Sequence, residues 1–347
     1  MDSGQGFLKV TANIFNPLEK SSTDPDLDDA GVKRCFLIAI VEGVSEANDN
    51  LRKVLEPLKL SDLKYYTAFD CKCANAVFGL SSHSGKFSCL YCEGPSTLES
   101  GVKRTLGSLD NHYSNYVKDG KQRSKMSEYK NVINPRLLYT EEDPETLLEE
   151  LFPIPELHIL MGITSKLGVL LLSLWPLFVK WLKSNYIMFR GYHGVGFDGN
   201  NASKFLKLAD ILERDISNDG KFDLLPIIHC LRKFQRLQSE AFGMVCGNDV
   251  EVSVQEFKES YEDLVQYIYD TFDMELSITW KVHMAVCHIL PFLKTTKHGL
   301  GVYCEQTGEA IHHEFKKTWD RYKRRMDHKE YGKRLKTSVV AFSANNL

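Results

Sequence analysis

The apolar positions of the chain follow two periods, and the change between them falls near residue 150. Up to about residue 95 they alternate or run together, as strands do. Gly6–Phe15 partly alternates and stops at Asn16-Pro17, and residues 18–30 are polar, acidic and loop-like. Cys35–Val44 (CFLIAIVEGV) is an unbroken apolar run, the pattern of a strand buried on both faces. Ser45–Leu58 predicts a helix with Ser45 as its N-cap and Pro57 near its end. Tyr65–Phe69 predicts a short aromatic strand that delivers Asp70 at its C-terminal tip, with a helix over Cys71–Leu80. Strand, strand, helix, strand, acid, helix is an α/β order.

Residues 96–150 are polar and rich in turn formers. Beyond them the 3.6-residue period takes over and predicts helices over 156–183, 201–214, 222–242 and 254–272, with further helix in 281–347. Leu167–Val179 (LGVLLLSLWPLFV) carries no charge, but thirteen residues fall short of the roughly 20 that span a bilayer. It is expected to be a buried helix, with no membrane involved. Gly194-Val-Gly196-Phe-Asp-Gly199 matches G-x-G-x-x-G, yet helix is predicted on both sides of it. A dinucleotide site requires a strand before the glycines, so a glycine-rich turn between helices is expected instead. No internal repeat or low-complexity tract is present.

Composition adds bounds. The 347 residues are 43% hydrophobic and 26% charged, enough for a real core in one large domain or two ordinary ones. A net charge of −3 gives no overall sign of a polyanionic partner. The distribution of charge does. Between 316 and 336 ten basic residues (Lys316, Lys317, Arg321, Lys323, Arg324, Arg325, Lys329, Lys333, Arg334, Lys336) oppose only Asp320, Asp327 and Glu330, with Trp319 and Tyr322 interleaved. That run reads either as a phosphate-backbone track or as a solvated helix face. Nine cysteines whose close spacings are 71/73, 89/92 and 287/304 do not form a disulfide frame, and the start lacks the basic and apolar parts of a signal peptide. A reducing compartment is expected, where a C-x-x-C binds metal or is redox-active more often than it is locked as a disulfide.

Two metal-type half-sites stand out. Cys89 and Cys92 form a C-x-x-C, and His283 and His288 lie five apart. Joined, they would make a Cys2His2 zinc site. Each half alone is a weak signal, and five is not the helical spacing that places two rings on one face. Asp70 lies nineteen residues before the first half-site and Glu309 twenty-one after the second. Asp70 at a strand tip suits catalysis or ligand binding, and it equally suits the N-cap of the helix after it. Glu305 and Glu309, i and i+4, share a helix face with His312 and His313 one turn later, a solvated face or a functional one. Asp2 precedes a glycine turn and a strand.

Taken together, these residues resemble the catalytic core of Transib-type DNA transposases and of the related recombination-activating recombinase of V(D)J joining. The similarity covers nearly the whole chain and rests on order and spacing at seven positions rather than on many identities. It implies a ribonuclease-H-like α/β fold with a large, mainly helical, zinc-bearing insertion. Residues 1–95 would be the first part of the core with the zinc cysteines, 96–280 the insertion, and 281–347 the zinc histidines, third-acid helix and basic helices. On that resemblance Asp2, Asp70 and Glu309 form the catalytic Asp-Asp-Glu triad and hold magnesium or manganese. Cys89, Cys92, His283 and His288 hold structural zinc. Lys316, Lys317, Arg321, Lys323, Arg324 and Arg325 touch DNA.

The implied function is metal-dependent phosphodiester cleavage and strand transfer by a nuclear protein, a homodimer when functional, with two metal ions roughly 3.5–4 Å apart. The chain departs from the family pattern in beginning at the first Asp, so the first core strand and the N-terminal DNA-recognition and dimerisation regions are expected to be absent. That departure favours a second expectation, a non-catalytic, zinc-stabilised DNA- or protein-binding remnant.

Overall fold

The computed structural model describes residues 7–13, 35–60, 63, 65–81, 86–189, 195–303 and 306–345. At Phe7, Asn13, Cys35, Phe36, 306–310, His312, His313 and Asn345 it describes the backbone alone. The chain is mainly helical, with one small sheet among the described residues. Strands β1 (Phe7–Asn13) and β2 (Cys35–Glu42) pair antiparallel, Leu8 opposite Val41, with an irregularity at Val10/Thr11. Side chains alternate across a strand. Leu8 accordingly joins the main core, while the Lys9 ammonium lies 5.3 Å from the centre of the Phe315 ring.

The first helix is shorter than its pattern predicts. It spans Asn48–Leu55 (α1) and tightens into a 3-10 turn over Glu56–Leu58 at Pro57. Ser45 is not its cap. The Asn50 side chain donates to the Ser45 carbonyl (3.1 Å) and hydroxyl (3.3 Å), and the helix starts after Ala47. Residues 65–69 form no strand. Their side chains are committed to packing: Tyr65 stacks on Tyr139 and Phe69 on Phe152, while the Thr67 hydroxyl accepts from Tyr139. Aromatic residues that predict a strand here serve as packing ends of a non-repetitive segment. Helix α2 follows over Cys71–Val77. Of the α/β order read from residues 1–95, the described residues therefore retain two strands.

The polar stretch carries α3 (Leu106–Lys118) and the single turn α4 (Leu148–Leu151). The helical body follows the predicted periodicity but breaks it at specific residues. The expected helix over 156–183 is two, α5 (Glu156–Leu174) and α6 (Phe178–Ser184). Pro176 forces Trp175 out of the helical region, to φ −122° and ψ 102°. The indoles of Trp175 and Trp181 then donate to Asp219 (2.8 Å) and Asp215 (3.0 Å). The expected helix at 201–214 is likewise two, α7 (Gly199–Lys207) and α8 (Ala209–Asn218); Asp215 is in the last turn of α8 and Asp219 is its C-cap. Gly196 lies between α6 and α7 and Gly199 opens α7, with no strand before them among the described residues, and Gly194 lies outside those residues.

Helices α9 (Leu225–Ala241) and α10 (Val250–Phe272) pair around Phe234, Phe257 and Leu264. Burial of each such side chain contributes about 1.5–3 kcal/mol. Helix α5 is long and apolar enough to cross a membrane by length and composition. Its Ile159, Ile163, Leu167 and Leu171 are nonetheless buried in the main core, and it packs on α7 and α9. Helices α11 (Trp280–Cys287) and α12 (Ile289–Thr296) abut this body, and a 3-10 turn over Leu300–Tyr303 leads to α13 (Gln306–Tyr322) and α14 (Tyr331–Asn345). A second, smaller core forms where α13 and α14 meet β2, around Leu37, Ile311, Phe315, Trp319 and Phe342.

Candidate metal centre

The two half-sites meet. The ligand atoms of Cys89, Cys92, His283 and His288 all lie within 4.8 Å of one another, and all four residues are buried. Cys89 Sγ is 3.3 Å from His288 Nε2, Cys92 Sγ is 3.3 Å from His283 Nε2, and the two Nε2 atoms are 3.3 Å apart. A tetrahedral zinc ion with sulfur at ~2.3 Å and nitrogen at ~2.0 Å would set S···N edges near ~3.5 Å and an N···N edge near ~3.3 Å. The donor set therefore fits zinc in both type and spacing.

Local structure explains each placement. His283 sits in α11, whose first turn is capped by Thr279, its hydroxyl accepting from Val282 N at 3.4 Å. Five residues along one regular helix would turn the second imidazole ~140° away from the first. His288 escapes this because it is the break between α11 and α12, with φ −122° and ψ −18°. The Nδ1–H of His283 donates to the Thr97 carbonyl at 2.7 Å, so in the neutral ring Nε2, 3.3 Å from Cys92 Sγ, is the nitrogen available to a metal.

The cysteine turn is held from behind by Arg104, which is fully buried. Its Nε donates to the carbonyls of Cys89 (3.0 Å) and Cys92 (3.2 Å), and Nη2 to those of Phe87 (3.3 Å) and Lys130 (2.9 Å). Backbone pairing continues the grip: Arg104 N donates to Tyr91 O and Glu93 N to Val102 O, both at 2.8 Å. Gly94 and Gly101 allow the two chains to approach this closely, for a Cβ on Gly101 would lie 2.4 Å from Gly94 N.

The electrostatics favour a cation. Burial, then Cys92, pushes the Cys89 thiol well up. The hydrogen bond from Cys89 holds Cys92 far below the ordinary thiol value against its burial, with His283 and His288 adding to the effect. Burial opposes protonation of His283, but hydrogen bonds to Cys287 and Cys92 outweigh it and raise its pKa to about 10. Without metal, the pocket thus gathers a proton where zinc would place two positive charges.

The sequence pattern gave no sign of Arg104 or of Glu149. Glu149 stands in α4 beside His288, its Oε2 3.8 Å from His288 Nδ1, and its other oxygen pairs with Lys103. Burial works to raise this carboxyl, but His288 and Lys103 outweigh it and hold it below the usual range. Nothing in the spacing of either residue distinguishes it from other charged residues of the polar stretch.

The remaining candidates are placed less completely. Asp70 caps α2, its Oδ1 accepting from Cys73 N at 2.6 Å. Asp2 lies outside the described residues, as do Glu305 and the side chain of Glu309; the Glu309 backbone is in α13. The segments leading to the two described acids nevertheless touch. Tyr66, four residues before Asp70, packs edge-on against Tyr303, six before Glu309, with ring centres 5.1 Å apart. Cys71 and Ala74 of α2 also line a crevice with Trp280 and Met284 of α11.

Lys316, Lys317, Arg321, Lys323, Arg324 and Arg325 are exposed along α13 and the turn after it. Lys317 pairs with Glu314 (2.7 Å) and Arg325 with Asp327 (3.2 Å). The interleaved aromatics differ from expectation: Trp319 is buried in the smaller core and Tyr322 packs against it, so Trp319 is not offered to a nucleic-acid base. Compared with known protein families and with curated proteins, the chain matches none.

Proposed function

We propose that the chain is an Asp-Asp-Glu DNA transposase or recombinase core of ribonuclease-H-like descent, cleaving phosphodiesters and transferring strands. The observation that carries this reading is the convergence of the two segments that lead to Asp70 and Glu309. They touch through Tyr66 and Tyr303, and the Cys2His2 cluster joins the chain after Asp70 to the helix before Glu309. Those acids are 239 positions apart in the chain, and a divided triad needs such a clasp. Cys89, Cys92, His283 and His288 would hold zinc in a structural role, because four protein ligands would leave a tetrahedral ion no open position for water. Magnesium or manganese, held by Asp2, Asp70 and Glu309, would supply Lewis-acid chemistry at the phosphate. The exposed cations from Lys316 to Arg325 offer the DNA backbone a track. The protein would act in the nucleus as a homodimer.

One observation favours a second reading. The Asp70 carboxylate is engaged as a helix cap, as it would be in a non-catalytic, zinc-stabilised protein that binds DNA or another protein. Nicking of supercoiled DNA by the purified chain distinguishes them. Activity that needs magnesium or manganese and disappears in Asp70→Asn supports the enzyme. DNA retardation in a gel without nicking under either metal establishes the second reading.

A further inference from the structure

Two buried polar atoms face each other beside the cluster, and neither has a hydrogen-bond partner: His288 Nδ1 and Glu149 Oε2, 3.8 Å apart. Both side chains are almost wholly buried, at 0% and 6% exposure. Leaving two such groups unmatched costs about 1–3 kcal/mol each. The gap is too narrow for a bridging water, whose two hydrogen bonds of ~2.8 Å would hold the atoms ~4.5 Å apart.

Metal binding changes what His288 requires. A zinc ion takes the Nε2 lone pair of a neutral imidazole, so the ring proton must sit on Nδ1 and needs an acceptor. For His283 that acceptor is the Thr97 carbonyl, already at 2.7 Å. For His288 the facing group is Glu149. We propose that Glu149 is the positioning residue of the centre: it accepts the Nδ1 proton of His288, selects its tautomer and aims Nε2 at zinc. The two atoms need approach by only ~1 Å to make a hydrogen bond.

Glu149 is well placed for this. Lys103 pairs with its second oxygen, which leaves Oε2 as the one that faces the imidazole. The backbone that carries it belongs to the cysteine turn's own frame: Lys103 bridges to Cys92, and Leu148 N donates to Arg104 O at 3.0 Å. Helix α12, which begins after His288, packs on α4. The residue that orients the histidine half is thereby built onto the cysteine half, so the two half-sites are coupled before any metal arrives.

The inference rests on the metal reading and is independent of nuclease activity. The test is zinc affinity of the full-length chain, by chelator competition, in wild type, Glu149→Gln and Lys103→Met. Glu149→Gln is expected to weaken zinc about 10- to 100-fold. Lys103→Met breaks the same ion pair but spares the acceptor, and is expected to stay within about threefold, well below that range. Equal losses in the two variants would reduce Glu149 to an ion-pair partner and overturn the proposal, as would an unchanged affinity in Glu149→Gln. A structure of the zinc-loaded wild type gives a check that needs no variant: Nδ1···Oε2 within about 3.0 Å supports the proposal, and a gap as wide as the present one defeats it. A wild-type chain that binds no zinc would instead overturn the metal reading itself.

Discussion

Replacing Cys89 by serine tests the clasp at one of its two sulfurs. Cys89 is buried, 3.3 Å from His288 Nε2, and its carbonyl is fixed by Arg104. A serine hydroxyl there is a hard, neutral donor in place of a thiolate, so a loss of at least about 100-fold in zinc affinity is expected. By linkage, that removes about 2.7 kcal/mol of zinc-dependent stability when zinc is in excess. The Nε2 of His288 would then lie in a sealed pocket with a weakened partner, at a further cost of about 1–3 kcal/mol. Together these give about 4–6 kcal/mol, or a melting temperature lower by about 8–12 °C at ~2 °C per kcal/mol for a chain of this size. Zinc-to-protein ratio after dialysis against a weak chelator, and calorimetry with and without zinc, measure the two parts. A Cys89→Ser chain that keeps one zinc per molecule and melts within 2 °C of wild type (roughly 1 kcal/mol by the same scaling) would refute the assignment.

Other consequences follow from the same geometry. Asp70→Asn should abolish divalent-dependent DNA cleavage while changing stability by less than about 0.5 kcal/mol, because asparagine caps a helix as well as aspartate does; Asp70→Ala should lose about 1 kcal/mol in denaturant titration as well. Cleavage retained in Asp70→Asn would remove it from the triad. Arg104→Met should cost about 3–5 kcal/mol by leaving buried carbonyls without donors, seen as a lower urea midpoint even with zinc saturating. In the acid range, burial works to raise the Glu93 carboxyl, but His112 at 2.9 Å, with Arg104, holds it below its ordinary value. A depressed carboxylate stabilises the fold above its unfolded pKa and loses that contribution as pH falls through the folded one. His112→Ala should therefore flatten the fall in melting temperature below about pH 4.5, the ordinary value of the group; an unchanged acid limb would argue against the pair.

Much of the helical body can be read from the sequence because periodicity is a local property. The 3.6-residue pattern located the helices around 156, 225 and 254. The buried helix expected over Leu167–Val179 holds in part: Leu167, Leu170 and Leu171 are buried, but the helix breaks at Pro176 and Val169, Leu177 and Val179 are exposed. Errors occurred where a single tertiary contact outweighed a local preference. Tyr65–Phe69 has strand chemistry, but its rings and hydroxyl are taken by Tyr139 and Phe152. Ser45 has cap chemistry, but Asn50 occupies its oxygens. Trp319 reads as an aromatic among cations, yet the packing of α13 on β2 buries it.

For the metal centre the division is similar. Residue type and spacing were enough to nominate Cys89, Cys92, His283 and His288, because thiolate and imidazole are distinctive ligands at any position. Their meeting was not legible. It depends on folding that brings together residues 191 to 199 positions apart, and on a helix break at His288 that turns an awkward i,i+5 pair into one face. Arg104 and Glu149 were invisible for a deeper reason. A charged residue is ordinarily solvated, and it becomes part of a site only when the fold removes its water and leaves a carbonyl or an imidazole as the partner. Local pattern determined which side chains could do chemistry here; only the tertiary structure decided which of them were buried together, since burial is what turns a charge into a structural element.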